Sequence, residues 1–328
     1  MRRAWVYSGF TTRVGCVHAV WRARASAEMA AAALRARHAS ALAAGLSLAG
    51  RSAVVAGGTS GIGRGVALRL AELGLRVTIL GRDAARGAAV VAEMRARGAA
   101  AGSAHAAVDA FSLSAIGDFA AAYARAQDAL DVLVMSQGMA TLQGFTPTAD
   151  GLDEKLTLHY FGRAKLAQGL LPLLRRGVAP TVISVLSAGV HAGVADWAAD
   201  PELARTYSLK RAADAAGFYN DLLADAMARA PGNERVLFVH AAPGFVATNW
   251  GNEMPAPVRW LVRAAQVLGK TPADCAEAML DPLFSRGAAG GWRLAGEHAQ
   301  AVPPTREHSD AARDALYAFT RARLGGEW

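Results

Sequence analysis

The 328-residue sequence predicts a doubly wound α/β fold, a parallel sheet of about seven strands with helices on both faces. Three observations point there. Short β-branched runs alternate with Ala/Leu-rich stretches from residue 51 onward. Those runs are apolar almost without a break, as parallel strands covered on both faces must be. A glycine-rich turn joins the first run to the first helical stretch.

In order, the expected strands are Ser52–Ala56, Val77–Leu80, Ala104–Val108, Val132–Met135, Val182–Val185, Val236–His240 and Trp292–Leu294. Helices are expected at about 62–73, 83–98, 114–127, 151–176, 205–229 and 272–285. Asp83 suits the N-cap of the second, because its carboxylate can accept from an otherwise unpaired amide. Asp150 suits the cap of the helix near 151, with Asp153 three residues on; Gly177 and Pro180 punctuate its far end. No internal repeat or low-complexity linker divides the body, so residues 49–328 read as a single domain.

The chain carries 53% apolar and 19% charged residues, which excludes a disordered chain. Its net charge of +8 raises the question of nucleic acid. Seven arginines and a single acid, Glu28, fall in residues 1–50, leaving 28 basic and 26 acidic residues in the rest. The folded body is almost balanced, and a nucleic-acid partner is not expected. Residues 1–48 form an Arg/Ala-rich extension in which 26–46 favours helix. Three readings stand for it: an organelle transit peptide, a surface-docked helical extension, or a start-site artefact. The location is accordingly cytoplasmic, or organellar (mitochondrion or plastid) if the extension is a transit peptide. No apolar run reaches the roughly 18 residues of a membrane span. Two cysteines, Cys16 and Cys275, make no disulfide framework, and Cys275 reads as an inert helical residue.

The strongest chemical feature is Gly57-Gly58-Thr59-Ser60-Gly61-Ile62-Gly63, between a strand and a helix. Glycine permits the tight turn and lets backbone N–H groups approach a pyrophosphate at the positive end of the helix. The spacing is Gly57-x-x-x-Gly61-x-Gly63, and it resembles that of the short-chain dehydrogenase/reductase family. More of that family's pattern follows. Val108-Asp109 resembles its adenine-contacting Asp, and Gly138 closes Met135-Ser136-Gln137-Gly138, where relatives read Asn-Asn-Ala-Gly. Pro243-Gly244-Phe245-Val246-Ala247-Thr248 resembles the segment beside the nicotinamide. Thr148-x-Asp150-Gly151-Leu152 and the run around Pro172 are similar to the retinol-dehydrogenase-like branch. The likeness covers residues 51 to about 300 and implies a Rossmann-type fold. It places Gly57, Ser60, Gly61, Ile62, Gly63, Asp109, Gly138, Pro243, Gly244, Val246 and Thr248 around a dinucleotide.

The second strand ends Leu80-Gly81-Arg82-Asp83. A carboxylate there would accept from a ribose 2′-hydroxyl, whereas the Arg82 guanidinium can clamp a 2′-phosphate. NADP(H) is therefore expected in preference to NAD(H). Arg64, in the first helical turn, fits the same phosphate-rich surroundings.

The resemblance implies a catalytic Tyr, a Lys four residues on that lowers its pKa and binds the ribose, and a Ser that orients the carbonyl. Ser187 matches the serine, with Ser184 as the alternative, and Tyr207 matches the tyrosine. The residue four after Tyr207 is Arg211, and Lys210 is three after it. On a helix both positions lie on the tyrosine's side, and Lys210 is the expected cation. His159 falls where relatives carry an Asn of the proton relay. The other histidines, such as His105, His191 and His240, form no metal-ligand spacing, so no metal is expected. The resemblance implies a substrate lid at residues 245–271, where Val258, Leu261, Val262, Ala265 and Leu268 recur at helical spacing with Trp250 and Trp260 nearby; core packing of a surface helix and a membrane-facing edge are the other readings.

The expected activity is hydride transfer between NADP(H) and a small, lipophilic carbonyl or alcohol, with Tyr207 as acid/base. The alternative is a dinucleotide-binding regulatory or scaffold protein with weak or no turnover. A homodimer is expected by analogy.

Overall fold

The computed structural model describes residues 6–248, 256–266, 269–287, 289–326 and 328. The chain opens with α1 (Val6–Ala43) and then alternates strand and helix: β1 (Ser52–Ala56), α2 (Gly61–Glu72), β2 (Arg76–Gly81), α3 (Ala84–Ala96), β3 (Ala104–Ala107), α4 (Leu113–Ala126) and β4 (Val132–Met135). Next come α5 (Glu154–Leu156), a π-helical segment (Thr157–Phe161) and α6 (Gly162–Leu174), then β5 (Thr181–Val185), α7 (Leu209–Arg229) and β6 (Leu237–Ala241). The chain closes with α8 (Ala256–Gln266), α9 (Pro272–Leu280), α10 (Pro282–Ser285), β7 (Gly291–Ala295) and α11 (Asp310–Leu324).

All seven strands are parallel, in the order β3-β2-β1-β4-β5-β6-β7. The order reverses direction between β1 and β4, where doubly wound sheets open a crevice at their carboxyl ends. Successive strand residues point to opposite faces, and each face has its own core. Val54, Leu133, Val182 and Phe238 pack with α4, α6, α7 and α11 residues such as Ile116, Leu170, Phe218 and Leu316. Val55, Ile79, Val134, Ile183 and Val239 pack on the other side with α2, α3 and α9 residues such as Leu70, Met94 and Met279. No helix among the described residues is long and apolar enough to cross a membrane.

Helix starts follow local chemistry, with one correction. Asp83 caps α3 by accepting from the Arg86 amide at 2.9 Å. Asp150, expected to cap the helix near 151, instead accepts from the Leu113 amide at 3.1 Å. Asp153 takes the cap, accepting from the Lys155 and Leu156 amides. An antiparallel bridge between Pro147 and Asp153 closes a tight turn through position 150, in which the Gly151 amide donates to the Thr148 carbonyl and Gly151 sits at φ +75°, so the helix cannot begin there.

Residues of the N-terminal extension pack into the second face. Leu34 and Leu48 are buried with the α2 and α9 side chains. His38, with no exposed surface, sets Nδ1 2.9 Å from Glu277 and Nε2 3.0 Å from Asp281, and its ring stacks on Phe284 at 3.8 Å. Arg35 pairs with Asp274, Arg37 with Asp281, and Arg69 of α2 with Glu277 at 3.1 Å. Burial opposes charge on His38, but the two carboxylates hold its pKa above the ordinary histidine value. Burial also works against Glu277 and Asp281, yet His38 and the arginines hold both below the ordinary carboxylate range.

His38→Ala should therefore cost about 3 kcal/mol and lower Tm by roughly 5–10 °C, because buried carboxylates lose a partner. The loss has a pH signature. The raised His38 pKa adds stability that is full below about pH 6.5 and disappears as pH rises through the folded value. The depressed carboxylates add stability above their unfolded values, lost as pH falls through the folded ones. Melting curves from pH 4 to 9 should show the gap between wild type and variant shrinking at the alkaline end.

Candidate active site

The carboxyl ends of β1, β4, β5 and β6 meet at the crevice. Gly57 ends β1's turn at φ +74°, and a Cβ there would lie 2.7 Å from the Gln137 amide nitrogen. A Cβ on Gly63 would lie 2.2 Å from the Gly57 carbonyl oxygen. Only glycine lets the loop close onto both neighbours. Ser60 is the N-cap of α2 but makes no side-chain cap bond. Ile62 packs against the core beneath, and Gly61 faces the Thr248 methyl. Thr59, Ser60, Gly61, Arg64, Arg86 and Thr248 line a cleft of about 450 Å³. A loop of this kind opening a helix N-terminus fits a dinucleotide pyrophosphate.

Arg82 is exposed at the end of β2, its guanidinium 5.1 Å from the centre of the Phe111 ring. Arg64 pairs with Glu93, and Arg86 with Asp83 at 2.9 Å. Asp109 is exposed and accepts from the Phe111 amide at 3.1 Å, so it shapes the turn after β3. Beyond β6, the Pro243 carbonyl lies 3.8 Å from Cys275 Sγ, Gly244 packs against the Glu297 side chain, and Val246 is buried beside Lys270. Burial pushes the Cys275 thiol up to about 12, which leaves it unreactive.

The π-helical segment adds one residue to the turn that carries His159. Gly138 faces His159 Nε2, which accepts from the Met139 amide at 3.1 Å. Burial, with the charges of Arg163 and Lys155, pushes His159 down to about 3, so the ring is neutral and its Nε2 is an acceptor. Arg163 is completely enclosed. It donates to Ser184 Oγ at 2.7 Å, the Val185 carbonyl at 3.0 Å and the Gln137 carbonyl at 2.6 Å. Ser184 thus serves the framework, and Ser187 stands beyond the strand end with its Oγ buried and without a hydrogen-bond partner among the described residues.

Tyr207 and Lys210 are not brought together. Tyr207 precedes α7, whose N-cap is Ser208, so the three- and four-residue helical spacing does not apply to it. Lys210 turns outward, 80% exposed, and pairs with Asp214; Arg211 reaches Asp196 at 3.0 Å. The cation at the tyrosine is Lys155, whose Nζ stands 5.4 Å from the ring centre. Lys155 is buried, donates to the Gly144 carbonyl at 2.9 Å and lies 3.2 Å from Asp153. Phe145 meets the Tyr207 ring edge-on at 5.7 Å. The phenol oxygen is buried without a hydrogen-bond partner among the described residues. Burial raises its pKa, and the Lys155 ammonium pulls the other way. Sequence reasoning missed Lys155 because Asp153-Glu154-Lys155 looks like a solvated helix start; its place one helical turn before His159 was the available signal.

Of the expected lid, α8 is a helix with Trp260 71% exposed. Trp250 and Leu268 lie outside the described residues, as do the side chains of Val258, Leu261 and Ala265.

Residues 51–257 match the family model described as short chain dehydrogenase. The chain is 30% identical to dehydrogenase/reductase SDR family member 13 of Bos taurus over 79% of its own length and 69% of that protein's. An oxidoreductase of Emericella nidulans is 35% identical over 40% of this chain and 39% of its own. The match spans well under half the length of that curated relative. Among solved structures, the Pseudomonas aeruginosa RhlG/NADP active-site complex superposes with a TM-score of 0.57 at 24% identity, covering 77% of this chain and 98% of that one. This last likeness is one of fold.

Gly63→Ala tests the loop. Its methyl would meet the Gly57 carbonyl, and the expected result is about 1–3 kcal/mol of lost stability. Dinucleotide affinity should fall with it, measured by fluorescence titration of protein that still shows a cooperative melt.

Proposed function

Because the chain belongs to the short chain dehydrogenase family, we propose that it is an NADP(H)-dependent oxidoreductase acting on a small, lipophilic carbonyl or alcohol. The observation that carries the reading is Tyr207, whose buried hydroxyl has no partner among the described residues and stands beside a buried ammonium. Such a phenol can hold a proton for a carbonyl oxygen. The nicotinamide, when bound, supplies or accepts the hydride. Ser187 Oγ is the second uncommitted hydroxyl and suits an anchor for the carbonyl oxygen. Lys155 takes the part expected of Lys210, since a nearby positive charge favours tyrosinate. Exposed Arg82 and the absence of an acid at position 81 support NADP(H), as does the NADP-bound RhlG neighbour. Phe145 beside Tyr207 favours a lipophilic substrate.

A second reading, dinucleotide binding with weak or no turnover, is favoured by the outward course of Lys210. Titration with NADPH and NADH, followed by turnover of a panel of aldehydes and ketones, separates the two. Tyr207→Phe should lower kcat by about 10²-fold or more while leaving NADPH affinity intact. Lys155→Met should lower kcat and move the alkaline limb of the pH profile upward, since the phenol loses its positive neighbour. Lys210→Ala should do neither. NADPH binding without turnover would establish the second reading, and full activity in Tyr207→Phe would remove the tyrosine from the mechanism.

A further inference from the structure

Two histidine rings that share one carboxylate flank the main chain of Ser187. Its amide donates to His240 Nε2 at 3.1 Å, and its carbonyl accepts from His191 Nδ1 at 2.9 Å as well as from the Val190 and His191 amides at 2.9 and 3.3 Å. His240 Nδ1 is hydrogen-bonded to one Asp221 oxygen at 2.5 Å, whereas His191 Nε2 lies 3.1 Å from the other in an ion-pair contact without hydrogen-bond geometry. Asp221 and His240 are completely enclosed, and only 2% of the His191 side chain is exposed. Gly217 makes the arrangement possible. A Cβ there would lie 2.5 Å from both Ser187 Oγ and the His191 ring.

We propose that Asp221 is a positioning residue that clamps Ser187 by both of its main-chain groups through His191 and His240. The proposal rests on the reading of Ser187 as the carbonyl anchor. The polarity of the bonds fixes the proton inventory. His240 Nε2 faces an N–H and must accept, so its proton is on Nδ1 and is donated to Asp221. His191 Nδ1 faces a carbonyl and must donate. A neutral His191 can keep the bond to that carbonyl but brings no charge to Asp221, whereas the imidazolium keeps the bond and sets a positive charge 3.1 Å from the carboxylate. The surroundings agree with these states. Burial opposes charge on His191, but Asp221, the Ser187 carbonyl and Asp214 raise its pKa above the ordinary value. Burial, with the charges of His191 and Arg163, outweighs Asp221 and lowers that of His240. His191 Nδ1 is engaged by the carbonyl, Nε2 faces Asp221, and Ser187 Oγ bonds to neither nitrogen, so the group is not a nucleophile-activating triad.

The clamp is complete only while His191 is protonated, and it loosens as pH rises through the raised pKa. The test uses the full chain, NADPH and the best carbonyl substrate of the panel. His191→Ala should lower kcat about tenfold by removing the ring donor from the Ser187 carbonyl, which keeps its two amide donors, with NADPH affinity unchanged. His191→Asn, whose amide can replace the Nδ1 donor, should recover kcat to within about threefold and remove the His191 step from the alkaline limb. Equal kcat in the Ala and Asn variants, or an unaltered pH profile in both, would overturn the proposal. Nitrogen-15 imidazole spectra of the wild-type chain give a readout independent of turnover. Wild type should show doubly protonated His191 and Nδ1–H His240 near pH 6; a neutral His191 there would sink the clamp. Correct spectra in a protein without turnover would fault the oxidoreductase reading and leave the clamp standing.

Discussion

Arg163 is a guanidinium sealed inside the molecule without a carboxylate paired to it among the described residues, and the crevice is assembled around it. Three donated hydrogen bonds tie the Gln137 carbonyl beyond β4 to Ser184 and Val185 of β5. Ser184 Oγ passes the connection to Asn220 of α7 at 2.7 Å, and Asn220 Nδ2 returns it to the His159 carbonyl in the π-helical segment at 2.9 Å. Burial lowers the Arg163 pKa to about 9, a measure of how much solvation has been given up. A buried charge is tolerated when neutral dipoles surround it; here they engage both terminal nitrogens, though not Nε, and belong to the segments that shape the site. The strand ends therefore cannot drift apart without stranding a charge.

The same economy explains what could be read from the sequence. Strands are visible because burial on both sheet faces demands unbroken apolar runs, and the glycine loop is visible because its close approaches exclude every other residue. Asp83 capped as expected since capping needs only three residues of context. Lys155, Arg163 and Asp221 were opaque for the opposite reason. Each is a charged residue on an Ala- or Leu-rich helix, and only the tertiary partner distinguishes it from a solvated face. Lys210 shows the converse error. Helical spacing placed it near the tyrosine, but α7 begins at Leu209, two residues after Tyr207, and a cation in its first turn finds Asp214 and solvent.

Polar contacts divide unequally between the two faces of the sheet. The α6/α7 side carries the network under Ser187 and His159. On the α2/α9 side Arg69 of α2 already meets Glu277 of α9, and α1 adds His38, Arg35 and Arg37 against Glu277, Asp281 and Asp274. The hydrogen-bond network of one face and the attachment of the extension thus use separate clusters of charged residues on opposite faces of the sheet.

That attachment has a consequence for how the chain is made. His38 leaves the ribosome well before Glu277 and Asp281, which lie 239 and 243 positions later. Until those positions are made, His38 and Arg37 lack these carboxylates, and the apolar face of α2 lacks the α9 side chains that cover it. Contacts of such sequence separation are slow to close, so this layer is completed late and is exposed to misassembly during translation.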